Sequence, residues 1–247
     1  MRQNTKGLIL KEQNIGEFDK LITVLTSDMG IVKAFVRGAK SLKSKKQSST
    51  ALLNYSRLSF YKSKDSYIVD EAESIEVFFS LRDDIIKLSL AQYFAELALE
   101  LAPESEYSNE FLRVILNSLY MLGTEKRPSL QIKSITELRL LSMAGYTPNL
   151  IACERCGEFE TPLMYFDMER GLLYCENCAD EYAPFELSIG IVSAMRHIVF
   201  ADMNILYNFK LPENEMIELS YITEKYLILK SGRKFKTLDF YNSIVEE

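Results

Sequence analysis

The pattern of apolar and polar residues changes character once along this chain. Through about the first 75 residues it has the two-residue period of half-buried strands, and after Ser80 apolar residues recur about every 3.6 positions, as on an amphipathic helix. Strands are expected at residues 6–12, 20–26, 31–37, 55–62 and 67–73. Asn14-Ile15-Gly16-Glu17 and Ser27-Asp28-Met29-Gly30 separate the first three, the second being a tight-hairpin signal, and Ser63-Lys64-Asp65-Ser66 separates the last two. Alternation in 31–37 puts Lys33, Phe35 and Arg37 on one face and Val32, Ala34 and Val36 on the other. The first helix is expected to be capped by Ser80, with Asp83 at its third position, and to stop before Pro103. Further helices are expected at 107–122, 129–144, 188–201, 212–230 and 238–245, with Gly123, Gly145 and Gly232 as terminators.

The elements imply an α+β protein. Five short strands fit a small barrel of the oligonucleotide-binding type over residues 1–79, with an SH3-like barrel or an open sheet as rivals. An α-helical domain follows over 80–247. Between 38 and 50 the chain is rich in Lys and Ser and reads as a loop.

A third feature interrupts the helical part at about 150–182. All four cysteines lie there, as Cys153-Glu-Arg-Cys156 and Cys175-Glu-Asn-Cys178, with eighteen residues between the pairs. Two such knuckles at that spacing match a four-thiolate zinc site, in which each knuckle turns both sulfurs toward one ion and a hairpin brings the pairs together. Residues 163–166 and 172–174 alternate as that hairpin, so the insertion is expected to be a zinc finger. Four sulfurs leave no open position, so one Zn2+ per chain would be structural. Iron, an empty reduced site or a redox pair are the alternatives.

Composition removes most enzyme classes. There is no G-x-G-x-x-G cradle, no phosphate-binding P-loop and no G-x-S-x-G elbow. The single histidine, His197, lies in an apolar helical run and reads as a packed or half-exposed helix residue. No stretch is long and apolar enough to span a membrane, and the start lacks a signal-peptide core, so a cytoplasmic protein is expected. The net charge of −6 is unevenly distributed. Residues 1–80 hold thirteen Lys and Arg against nine Asp and Glu, a balance of +4, and the remainder balances to −10. From Met29 to Lys64 there are nine cations and no carboxylate, interleaved with Phe35, Tyr55, Phe60 and Tyr61. Cations neutralise phosphates while rings stack on unpaired bases. The nucleic-acid-binding candidates are Lys33, Phe35, Arg37, Lys40, Lys43, Lys45, Lys46 and Arg57.

The order of motifs resembles the RecO family of bacterial DNA repair and recombination mediators. The resemblance is carried by Gly7-Leu8-Ile9-Leu10, by Gly16-Glu17-Phe18-Asp19-Lys20 running into Leu25-Thr26-Ser27-Asp28-Met29-Gly30, and by Arg37-Gly38-Ala39-Lys40. Downstream it continues through Ala91-Gln92-Tyr93-Phe94-Ala95-Glu96-Leu97, Glu137-Leu138-Arg139-Leu140-Leu141, Gly145-Tyr146-Thr147-Pro148 and the four cysteines. It implies an oligonucleotide-binding barrel, a helical domain and an embedded zinc finger. It also implies binding of single- and double-stranded DNA, annealing of complementary strands, and help in loading the RecA recombinase. The partners it suggests are RecR and single-stranded DNA-binding protein, with RecA reached indirectly, and the location is the cytoplasm at the nucleoid. Two other functions stay open from the residues alone. One is an interaction scaffold whose basic loop binds an acidic partner tail. The other is a metal-dependent nuclease using Asp65, Asp70, Glu71 and Glu73, residues that equally suit a solvated strand edge.

Overall fold

The computed structural model describes residues 2–39, 46–63, 66–103, 108–180 and 183–245. The five expected strands are all present: β1 (Arg2–Ile15), β2 (Asp19–Thr26), β3 (Ile31–Val36), β4 (Asn54–Ser63) and β5 (Ser66–Val77). They close into a barrel in the order β1-β2-β3-β5-β4, with β4 pairing back to β1 and a short parallel contact between β3 and β5. A four-residue helix, α1 (Lys46–Ser49), lies between β3 and β4. This is the five-stranded oligonucleotide-binding barrel. Its interior is filled by Ile9, Ile22, Val24, Val32, Val36, Leu58, Phe60 and Val69, the inward half of each alternating strand.

β1 departs from simple alternation. Gly7, Leu8, Ile9 and Leu10 are all buried, and the register shifts between Ile9 and Lys11. Ile9 belongs to the barrel core, whereas Leu10 lines a cavity with residues of a covering helix. At Gly7 a Cβ would lie 2.5 Å from Val24 and 2.8 Å from the Leu25 carbonyl, so only glycine allows β1 and β2 to approach there.

After a 3-10 turn at Phe79–Leu81 come α2 (Ile85–Leu101) and α3 (Asn109–Thr124). The helix cap expected at Ser80 lies four residues later: Asp84 is the cap, accepting from the amides of Ile86 and Lys87 at 2.8 and 3.1 Å. Next are α4 (Ser129–Leu141), a π-helical turn at Ser142–Tyr146, β6 (Leu163–Asp167), β7 (Leu172–Cys175) and β8 (Phe185–Ser188). The chain finishes with α5 (Ile189–Phe200), α6 (Glu213–Ser231) and α7 (Lys236–Val245). β8 is a third strand beside the expected hairpin, in the order β7-β6-β8.

The chain divides into two compact units, 1–125 with 235–247, and 126–234. The first holds the barrel, α2, α3 and α7; the second holds the cysteine sheet and α4–α6. The switch from strand to helix near residue 80 therefore does not coincide with the division between the units. Within the first unit the Glu96 carboxylate accepts from the backbone N–H and the hydroxyl of Thr237, which ties α7 to α2. Within the second, Lys133 on α4 lies 2.9 Å from Glu137 and 2.9 Å from Glu224 on α6, with both Lys133 and Glu137 fully buried. Among the described residues no helix is long and apolar enough to cross a membrane.

Candidate nucleic-acid interface and metal centre

Strand β3 presents its residues as the alternation requires. Val32, Ala34 and Val36 are buried in the barrel, Lys33 and Arg37 are exposed, and Phe35 is half-buried. Registers carry this outer face across two neighbours. Lys33 lies opposite Thr23, which lies opposite Lys11; Phe35 lies opposite Leu21, which lies opposite Gln13. The resulting surface has two lysines, an amide and a ring on three adjacent strands. Lys11, Gln13, Thr23 and Lys33 line a groove of about 370 Å³, with Leu99, Glu100 and Ala102 from the end of α2 on its other wall. Among the described residues neither Lys33 nor Arg37 has an ion-pair partner.

The β1–β2 turn adds a group that periodicity does not flag. Phe18 is 58% exposed, and Ile15 beside it is also exposed. Asp19 accepts from the Gly38 amide at 2.8 Å, which pins this turn against the chain leaving β3 just after Arg37. The motif Gly16-Glu17-Phe18-Asp19-Lys20 therefore brings a ring alongside the basic segment. Lys11 is the second residue missed, since it sits in a strand whose outward face becomes visible only from the register.

The remaining candidates are distributed. Lys40, Lys43 and Lys45 lie outside the described residues. Lys46 is half-buried and donates to the Val69 carbonyl at 3.1 Å, so its ammonium is committed to β5. Arg57 is exposed on β4, with β5 between it and β3, and pairs with Glu73 at 2.8 Å. Of the interleaved rings, Phe60 is fully buried in the barrel core, Tyr55 is half-buried and Tyr61 is exposed. The carboxylates considered for a nuclease site are occupied by arginines. Asp70 and Glu71 face Arg2, and Glu73 faces Arg57, while Asp65 lies outside the described residues.

The four cysteines converge. Their sulfurs all lie within 4.8 Å of one another, and those of Cys156 and Cys175 are 3.6 Å apart. Tetrahedral coordination with bonds of ~2.3 Å spaces sulfurs about 3.8 Å apart, so the cluster can hold a metal ion. Backbone hydrogen bonds shape each knuckle: the Gly157 amide donates to the Cys153 carbonyl at 2.9 Å, and the Cys178 and Ala179 amides both donate to the Cys175 carbonyl at 2.9 Å. Burial opposes ionisation of Cys153, but the amides of Cys175, Cys156 and Arg155 outweigh it and bring the thiol to about 6. Cys178, hydrogen-bonded to the sulfurs of Cys156 and Cys175, is pushed up to about 12. An anion is thus favoured at Cys153 and resisted at Cys178, a tension between neighbouring sulfurs that a cation relieves.

The cysteine module is fastened to α5 by Arg196. Its guanidinium donates to the carbonyls of Leu150, Ile151 and Phe159 at 2.6, 2.9 and 2.9 Å, and lies 4.3 Å from the Phe159 ring centre. Neighbouring His197 is half-buried, with Nε2 2.9 Å from the Ile205 carbonyl. It therefore has the helix role expected of it.

The comparisons agree with this architecture. The family model "Recombination protein O N terminal" matches residues 1–78, and "Recombination protein O C terminal" matches 82–239. A DNA repair protein RecO from Acetivibrio thermocellus is 32% identical over 241 residues, covering 97% of this chain and 96% of that protein. Proteins of the same name from Caldicellulosiruptor bescii and Symbiobacterium thermophilum are 30% and 26% identical, each covering 97–98% of both chains. Matched in order by the N-terminal and C-terminal models over residues 1–78 and 82–239, and by relatives along nearly its whole length, this chain belongs to the RecO family.

Proposed function

We propose that the chain is a cytoplasmic, nucleoid-associated DNA-binding recombination mediator that makes and breaks no covalent bond. It binds single- and double-stranded DNA, anneals complementary strands and helps to load recombinase during repair. RecR and single-stranded DNA-binding protein are its protein partners, and RecA is reached indirectly. The observation that carries this reading is the outward row Lys33, Phe35 and Arg37 on β3, continued by Lys11 on β1 and flanked by the exposed Phe18. Lys40, Lys43 and Lys45 follow in sequence directly after that row.

Annealing requires two polyanions to approach. Cations on a barrel face lower their repulsion, and rings hold unpaired bases by stacking that can be exchanged for pairing. Arg57 and Lys46 would contribute less, because each already has a protein partner. Four thiolates favour Zn2+ over harder cations. In this reading Cys153, Cys156, Cys175 and Cys178 hold one structural ion, which would cross-link the knuckles and supply folding free energy.

Fluorescence anisotropy of labelled single-stranded DNA, titrated at several salt concentrations, tests the mechanism. Neutralising about four to six phosphates predicts a log–log slope of about −3 to −4. Affinity independent of salt would exclude it.

A further inference from the structure

We infer that Arg155 is a positioning residue of the metal centre, a latch from the first cysteine knuckle to the second that slows release of the ion. The inference rests on the reading of the cluster as a resident zinc site. Arg155 is the third residue of the first knuckle, yet among the described residues the contacts of its head group lie around the second. One guanidinium nitrogen donates to the carbonyl of the ligand residue Cys178 at 2.9 Å. The other end pairs with Asp180, two residues past that ligand. The guanidinium also stands 5.5 Å from the ring centre of Tyr174, the residue preceding Cys175. The side chain therefore bridges the two halves of the cluster without touching a sulfur.

Two physical consequences follow. Four thiolates around Zn2+ leave a net charge of about −2, and a guanidinium fixed beside them offsets part of it. Release also needs the two knuckles to separate, and Arg155 joins them by a fork that lysine cannot reproduce. The pair is half open to water, at 54% and 30% side-chain exposure for Arg155 and Asp180. Its contribution to global stability is accordingly small. The effect belongs in the opening rate of the centre, since partners in the outer shell of a metal site commonly change metal affinity by about 10- to 100-fold.

The test is zinc release from the full-length protein to a colorimetric chelator, below its unfolding temperature, after metal analysis of the starting material. Wild type and Arg155→Ala should both begin with one zinc per chain, with the variant releasing it about tenfold faster at low salt. Arg155→Lys should fall between them. Because an exposed charge is screened, the ratio of variant to wild-type rate should shrink as salt rises, which a simple packing defect would not produce. Equal rates for wild type and Arg155→Ala, both zinc-loaded, would overturn the latch and leave the zinc reading standing. Wild-type protein without zinc would remove both. Should Arg155→Ala fail to fold, Asp180→Asn removes the charge that Arg155 pairs with; release about threefold faster is expected, and an unchanged rate overturns the latch.

Discussion

Phe18 lies 58% exposed at the tip of the β1–β2 turn, with the start of the basic segment held next to it by the Asp19–Gly38 hydrogen bond. A large ring in water beside cations suits stacking on an unpaired base, which is worth about 1–3 kcal/mol per base. Phe18→Ala should weaken single-strand binding about fivefold or more and leave duplex affinity unchanged, as read by anisotropy with the two labelled forms. An equal loss on both would mean that the ring does not discriminate. No period announces this residue, because a lone aromatic in a turn has no neighbours at fixed spacing. Phe60 fails in the opposite sense. Its place among cations suggests a stacking ring, but strand alternation turns it inward with Leu58. Arg57 is legible as exposed, whereas its partner Glu73 comes from a strand sixteen residues later and appears only with the register.

At the scale of elements, α4 shows where periodicity runs out. Lys133 and Glu137 stand four apart, the spacing of an exposed helix pair, yet the helix packs against α5 and α6 and both side chains are buried. Burial opposes the charge on Lys133, but Glu137 and Glu224 outweigh it and raise its pKa above the usual lysine value. Glu137 also accepts from Thr223 at 2.7 Å. Removing the lysine alone strands a carboxylate in the interior. Lys133→Met should lower stability by about 3–5 kcal/mol in urea unfolding, and adding Glu137→Leu should recover part of it. A loss below about 1 kcal/mol would show that the pair is solvated in solution. Other elements were legible because their punctuation is local. Gly232 ends α6 in the left-handed region as expected, and α5 begins where expected, with Ser188 as its cap accepting from the Ile191 amide. The start of α2 was not: Ser80 and Asp84 both suit a cap, but Ser80 lies inside the 3-10 turn and Asp84 makes the cap bonds.

For the molecule as a whole, the sequence foretold five strands, a run of helices and a clustered cysteine site, because each leaves a signature in spacing. Closure of the barrel through β1 and β4, and the parallel contact of β3 with β5, left none, since alternation specifies a strand but not its partner. Lys33, Phe35 and Arg37 were candidates from alternation alone, whereas Lys11 on β1 joined them only with the β1–β2 and β2–β3 registers. The role of this outer face rests on charge, and the +4 of the first 80 residues against −10 in the rest makes it the place for a polyanion. The most direct measurement replaces Lys33, Arg37, Lys40, Lys43 and Lys45 together by Ala in the full chain and repeats the salt titration with single-stranded DNA. At least about a 100-fold loss of affinity near 50 mM salt and a slope shallower than about −1 are expected, with an unchanged melting temperature. Wild-type affinity and slope in a folded variant would contradict that role.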